Sequence, residues 1–206
     1  MKRIVPQILL GPTAWPLFKQ RAEEWGEPSA SSVGLRAGGK YKEAYMDVRA
    51  LFGLSVLMSF LAFGIVTKLY IWPKVRVMLP EDALIALVVV HMFRFVGLSF
   101  LVLGVVGPSL PSAFARPAAY GDLVAAILAV VATLALSGHT SWALPIVWIF
   151  NVWGAGDLLH AIYQGQVRLR IGPGSLGAAF FIPTVVVPPL LVTHGLIFWL
   201  LLRSRP

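Results

Sequence analysis

Five long stretches of apolar residues dominate this chain and restrict it to one class of fold. They cover about residues 50–72, 83–107, 118–137, 142–163 and 176–202. Each is long enough to cross a hydrocarbon core of about 30 Å as a helix. In a bilayer every backbone polar group must be satisfied within the protein, which a helix achieves by itself. The sequence therefore predicts an all-α fold, a polytopic bundle of five transmembrane helices.

The composition agrees with an integral membrane protein. Of the 206 residues, 58% are hydrophobic and 13% are charged, whereas ordinary soluble domains contain about 25% charged residues. The chain has no cysteine, which excludes disulfides, thiolate metal sites and catalytic thiols. Prolines interrupt the short apolar run after Lys2 and Arg3, so we expect the first membrane helix, rather than a cleaved signal peptide, to direct insertion.

Basic residues are unevenly distributed between the segments that flank the spans. With a cytoplasmic N-terminus, the inner segments hold eleven Lys and Arg, namely eight in residues 1–49 together with Arg116, Arg168 and Arg170, and the outer segments hold four. Because cytoplasmic loops are enriched in Lys and Arg, this predicts an inner N-terminus and an outer C-terminus. Residues 1–48 are predicted to form a cytoplasmic or interfacial segment near lipid headgroups. The membrane therefore explains the net charge of +8 without a nucleic-acid partner, and no motif of a nucleic-acid-binding protein is present.

Several polar side chains lie inside the predicted spans. An intramembrane charge costs at least about 2.5 to 3.5 kcal/mol, so such groups normally face the bundle interior and pair with one another. Arg94 needs an acceptor near the middle of the membrane, and Asp157 is the best candidate. The pair is either a structural ion pair between two helices or part of a proton or ligand path. The predicted buried polar network comprises Arg94, Asp122, Asn151, Asp157 and His160.

One face of the fourth span is too polar to contact lipid. Its residues recur at helical spacing: Trp153, Asp157, His160 and Gln164. Gly154 and Gly156 lie beside them and allow a neighbouring backbone to approach closely. His160 is close to the inner end of the span, where a solvated or headgroup-contacting histidine is also expected.

His91 and His194 are predicted at the same depth on different helices. Two such imidazoles can bind a haem b iron axially, with Arg94 available to a propionate, or can lie beside a bound quinone. The alternative is plain hydrogen bonding to backbone or hydroxyl groups. Pro183, Pro188 and Pro189 predict a kink or local unwinding just before His194 in the fifth span, which shapes packing or opens a small polar cavity.

Three stretches carry a resemblance to a known family: "HMFRFVGLSFLVLGVVGPSLPSAFARPAAYGDL", "WIFNVWGAGDLLHAIYQG" and "GSLGAAFFIPTVVVPPLLVTHGL". Over about residues 70–202 the chain resembles a family of uncharacterised bacterial multi-pass membrane proteins. The resemblance implies a membrane bundle in the bacterial inner (cytoplasmic) membrane and emphasises the segments around Arg94, Asp122, Asp157 and His194. It implies no reaction and no catalytic residue.

Three functions remain open from the sequence. The first is an accessory or binding subunit of a membrane complex, with the lipid bilayer and either other membrane subunits or further copies of itself as partners. The second is a redox protein that binds haem b or quinone through His91 and His194. The third is a small proton or solute transporter. No phosphate loop, HExxH, GxSxG or dinucleotide turn is present, which favours a protein that is not an enzyme.

Overall fold

The computed structural model describes residues 47–203. Five helices in this range are long and apolar enough to cross a membrane: α1 Val48–Val75, α2 Pro80–Leu101, α3 Ser112–Ser137, α4 Ala143–Arg168 and α5 Ile182–Arg203. The predicted all-helical class and the number of long apolar helices are confirmed. The segment predicted for residues 1–48 lies outside the described residues, apart from its last two.

The ends of four helices differ from the sequence prediction by five or six residues, and among them α4 continues to Arg168 rather than ending near residue 163. The second helix ends at Leu101 rather than near residue 107, because the backbone turns there and Gly104 adopts a φ of 88°. The third helix begins at Ser112 and continues through Pro117, where the sequence predicted its start. The fifth begins at Ile182, after a short 3₁₀ segment, Pro173–Phe180, which is interrupted at Gly177.

Helix α2 changes its winding halfway along. Pro80–Val88 is α-helical, and Val89–Leu101 continues as a 3₁₀-helix. A 3₁₀-helix has three residues per turn, so residues i and i+3 lie directly above one another. The buried residues of this segment follow that period: His91, Arg94, Gly97 and Phe100. They form a straight row, and the segment packs chiefly against α3.

The bundle interior has three layers. One apolar cluster surrounds Leu84, Leu136, Phe150 and Ile197. A second surrounds Phe100, Phe114, Leu176 and other residues near the opposite end of the same helices. Six of the seven buried polar residues that the structure describes occur between these clusters in the sequence of each helix: His91, Arg94, Asp122, Asn151, Thr193 and His194. A central polar layer thus separates two apolar ones.

Two connecting segments pack together beside the second apolar cluster. The Gly107 amide donates to Ser175 O at 3.0 Å, and the Ala178 amide donates to Val105 O at 2.7 Å. Gly177 has a φ of 55°, and a Cβ there would overlap Val105 O, so a larger residue is excluded on both grounds. These contacts fix the segment between α4 and α5 against the segment between α2 and α3.

Candidate functional site

Arg94 is the centre of the polar layer, and its side chain joins three other helices. The residue is 1% exposed. Its Nε donates to Asp122 Oδ1 at 2.8 Å, and its Nη2 lies 2.8 Å from both Asp122 Oδ1 and Asp157 Oδ2. Its Nη1 donates to Gly154 O at 3.0 Å and lies 3.4 Å from His194 Nε2. All three guanidinium nitrogens are therefore engaged by protein groups.

The structure gives Arg94 two carboxylates rather than one. Asp157 is the partner that the sequence indicated, and Asp122 is a second partner that the sequence placed in the network without pairing it to Arg94. The sequence prediction began the third span at residue 118 and so put Asp122 at its inner end. Because α3 begins at Ser112, Asp122 lies deeper along the helix than predicted and reaches Arg94.

Glycines on three helices make room for these polar side chains. A Cβ at Gly97 would overlap the Asp122 carboxylate, and a Cβ at Gly121 would overlap that of Asp157. At Gly154 a Cβ would lie 2.6 Å from His194 Cε1 and 2.9 Å from Arg94 Nη1. Small residues let membrane helices approach closely. Here the space they leave is filled by the side chains of the ion pairs.

His194 makes hydrogen bonds that define one tautomer. Asn151 Nδ2 donates to His194 O at 3.3 Å, so its Oδ1, which lies 2.6 Å from His194 Nδ1, is the acceptor. Nδ1 then carries the proton, and Nε2 is free to accept from Arg94. The sequence placed Asn151 in the network without a partner. In the structure Asn151 orients His194 by hydrogen bonds to both its imidazole ring and its backbone carbonyl.

His91 is in contact with His194 in the same layer. The two ring centroids are 4.2 Å apart, and both rings pack against Phe150. The Thr193 hydroxyl donates to Pro189 O or Leu190 O at 3.0 Å, so it accepts from His91 Nε2 at 2.9 Å. His91 Nδ1 is buried and has no hydrogen-bond partner. Both histidines are side chains of a packed polar layer.

This arrangement does not fit a haem held between the two histidines. Metal–imidazole bonds are about 2.0 to 2.1 Å long, so two axial nitrogens lie roughly 4 Å apart with the macrocycle between the rings. The rings of His91 and His194 instead touch each other, and His194 uses both nitrogens within the protein. Arg94 has no unengaged nitrogen for a propionate. Among residues 47–203, no three His, Asp or Glu side chains are grouped as a metal site.

His160 lies outside the polar network, contrary to its predicted inclusion. The residue is exposed, and its Nε2 lies 3.1 Å from Gln164 Nε2, one turn further along α4. It follows Asp157 by three positions, which places both on one side of α4, but its hydrogen bond is to Gln164 towards the end of the helix rather than to Arg94 or a carboxylate. Its position agrees with the alternative interpretation of His160 as an interfacial histidine.

A chamber of about 270 Å³ lies beside the two carboxylates. Its walls are aliphatic and aromatic and come from all five helices and the segment before α5, including Phe52, Phe100, Phe114, Ala161, Pro173 and Leu176. Asp122 and Asp157 are its acidic lining residues, and their side chains retain 11% and 12% exposure. Arg94, His91 and His194 do not line it. Of the two alternatives for the kinked fifth span, packing or a cavity beside His194, this chamber supports neither directly, since it lies beside the carboxylates and His194 does not line it.

The position of the chamber could not be predicted from the sequence, although two of its polar lining residues, Asp122 and Asp157, were predicted to belong to the buried polar network. Its walls combine residues from distant parts of the chain, and Pro183, Val187 and Leu191 contribute the α5 side. Of the three prolines of the fifth span, Pro183 lines this cavity, and Pro188 and Pro189 do not. Thr193 and Asn151 occupy the hydrogen-bonding positions around the histidines.

Comparison with known proteins gives one family match. The family described as Domain of unknown function (DUF8737) matches residues 51–202. No curated protein and no solved structure matches the chain. The matched region begins in α1 and ends in α5, so it contains the polar layer and the chamber. Because the match covers well over half of the sequence, the chain belongs to the DUF8737 family.

Proposed function

We propose that this chain is an integral protein of the bacterial inner membrane that binds a small lipophilic molecule in the chamber, as a binding or accessory subunit of a membrane complex. The observation that carries the proposal is the pairing of apolar walls with two carboxylates in one cavity. Ligand sites are typically apolar cavities with a few convergent polar groups that fix the orientation of the ligand. The chamber has this composition.

The contacts of the polar layer favour binding over a purely structural ion pair. Arg94 is completely enclosed, as expected of a group that only holds helices together. The carboxylates that face it are partly exposed on the chamber side. They therefore contact Arg94 and a bound molecule at the same time. The haem alternative lacks this support, because the two histidines touch each other and lie outside the chamber lining.

The proposed orientation places the chamber in the cytoplasmic half of the membrane. Four exposed arginines lie close in sequence to chamber residues: Arg49, Arg116, Arg168 and Arg170. Among residues 47–203, the other end of the helices carries three exposed basic residues, Lys74, Arg76 and Arg203. Enrichment in Lys and Arg is typical of the cytoplasmic side.

The orientation predicts the location of two reporter fusions. Alkaline phosphatase fused after Arg203 should be active, because the C-terminal end of α5 is proposed to lie outside, where the enzyme folds. The same enzyme inserted after Arg170 should be inactive, because that loop is proposed to be cytoplasmic. A cytoplasm-dependent fluorescent reporter at each position is the complementary control. Activity of the phosphatase at Arg170 but not at Arg203 would reverse the topology.

Filling the chamber is expected to remove its ligand. Ala161 lines the chamber, and Ala161→Phe would place a ring inside it. We expect a lipophilic compound to co-purify with the wild-type protein and to fall about tenfold or more in the variant, because the ring occupies the space that the ligand needs; a tenfold loss corresponds to about 1.4 kcal/mol of binding free energy. The measurement is mass spectrometry of the organic extract after purification in mild detergent.

The matched control is Ala62→Phe, which adds the same ring to an exposed alanine of α1 that does not line the chamber. This variant should retain the compound at the wild-type level. Both variants should keep the wild-type melting temperature within a few degrees, which separates loss of ligand from loss of fold. Equal amounts of every bound compound in Ala161→Phe and Ala62→Phe would overturn the proposed function.

A further inference from the structure

We infer that the molecule bound in the chamber is a lipophilic amine whose protonated nitrogen lies against Asp122 and Asp157. This inference rests on the proposed binding function and adds the chemical class of the ligand. It follows from the hydrogen-bonding groups, the charge and the walls that a ligand would meet in this cavity.

The acidic end of the chamber offers acceptors and no donor. Arg94 directs its nitrogens at Asp122 Oδ1, Asp157 Oδ2, Gly154 O and His194 Nε2, and it does not line the chamber. Each carboxylate therefore has one oxygen that Arg94 does not bind. A ligand group placed beside these oxygens must donate hydrogen bonds. A quinone carbonyl or a carboxylate would meet only other acceptors there.

The charges of the layer also favour a cation. Asp122 and Asp157 share one guanidinium, so the ionised centre has one more negative charge than positive. An uncompensated charge within a membrane is costly. A protonated amine supplies the missing positive charge and up to three donors at the same point. A neutral alcohol supplies one donor and no charge.

The chamber walls favour an organic cation over a metal ion. Phe52, Phe60, Phe100 and Phe114 line the cavity, and a cation near an aromatic face gains further electrostatic attraction. A hydrated inorganic ion would leave these apolar walls without a partner and would need more oxygen ligands than two carboxylates supply. The polar side chain Gln166 lies nine positions beyond Asp157 along α4, about 13 Å away at 1.5 Å per residue, so the intervening length of the ligand is apolar.

The test compares three probes with the same alkyl chain: octylamine, octanol and octanoate. Binding is measured by calorimetric titration of the full chain in phosphatidylcholine nanodiscs, and the signal of Ala161→Phe is subtracted as the contribution of the bilayer. We expect octylamine to bind about tenfold to hundredfold more tightly than octanol, because hydrogen bonds between charged groups are stronger than those of a neutral hydroxyl. Octanoate should bind most weakly.

A second comparison uses Asp157→Asn, which removes one negative charge while Arg94 keeps Asp122. The preference for octylamine over octanol should fall about tenfold, because the variant removes the negative charge that the amine needs and the neutral alcohol does not. Equal affinities of the wild-type protein for all three probes, or a preference for octanoate, would overturn the amine and leave the binding function standing. Absence of chamber-dependent binding for every probe, together with retention of all co-purified compounds in Ala161→Phe, would overturn both.

Discussion

Replacing Arg94 with leucine is expected to lower the free energy of unfolding by about 3 to 5 kcal/mol, which is the cost of leaving buried charges without a partner. Arg94 is the shared donor for Asp122, Asp157, Gly154 O and His194. Its removal leaves two carboxylates facing each other across a layer without a cation. The measurement is denaturation in mixed micelles with increasing dodecyl sulfate, followed by tryptophan fluorescence.

Two further variants distinguish this mechanism from general damage. Asp157→Asn should cost less, about 1 to 3 kcal/mol, because Arg94 retains Asp122 and the amide oxygen still accepts a hydrogen bond. The triple variant Arg94→Leu, Asp122→Asn, Asp157→Asn should be more stable than Arg94→Leu alone, because no buried charge remains. If Arg94→Leu were no worse than Asp157→Asn, or if the triple variant were the least stable, the shared-arginine description of the layer would be wrong.

The number and type of helices were predictable because the bilayer sets their length and composition. A stretch that crosses the hydrocarbon core must be apolar and about 20 residues long, so hydropathy alone locates α1 to α5. The pairing of Arg94 with Asp157 could be predicted from the sequence for a related reason. An intramembrane charge needs a partner at similar depth, and few acidic residues in the spans meet this condition.

The role of Asp122 was obscured by one proline. The predicted third span began at residue 118, directly after Pro117, which placed Asp122 near the membrane surface. In the structure Pro117 lies within α3, and the helix begins at Ser112. Pro117 is the sixth residue of the helix and removes only the hydrogen bond that its nitrogen would donate to Ala113, so its position alone does not mark the boundary.

The 3₁₀ winding of Val89–Leu101 and the chamber have no signal in local sequence. An α-helix and a 3₁₀-helix have similar residue preferences, and tertiary packing decides between them. The row of His91, Arg94 and Gly97 is straight because the segment is wound at three residues per turn. The chamber depends on which helices are neighbours and on the segment that contains Pro173 and Leu176. Neither property follows from hydropathy.

The second prediction with a large effect concerns Gly154, the point at which α4 contacts both Arg94 and His194. A methyl group at this position would lie 2.6 Å from His194 Cε1 and 2.9 Å from Arg94 Nη1. Both distances are well below ordinary van der Waals contact, and the two side chains are fixed by their hydrogen bonds to Asn151 and Asp122. The side chains of Arg94 and His194 therefore have to move away from α4 to make room for the methyl group of Gly154→Ala.

Gly154→Ala is expected to lower the free energy of unfolding by about 1 to 3 kcal/mol, the usual cost of overpacking a closed core. Gly156→Ala, two residues further along the same helix, is the matched control, since no atom apart from its chain neighbours and its own helix backbone lies within 4 Å of the added methyl group. That variant should be neutral or slightly more stable, because alanine favours a helix over glycine by up to about 1 kcal/mol. Dodecyl sulfate denaturation compares the two directly. Equal stability of Gly154→Ala and Gly156→Ala would mean that α4 does not approach Arg94 and His194 as closely as the polar layer requires.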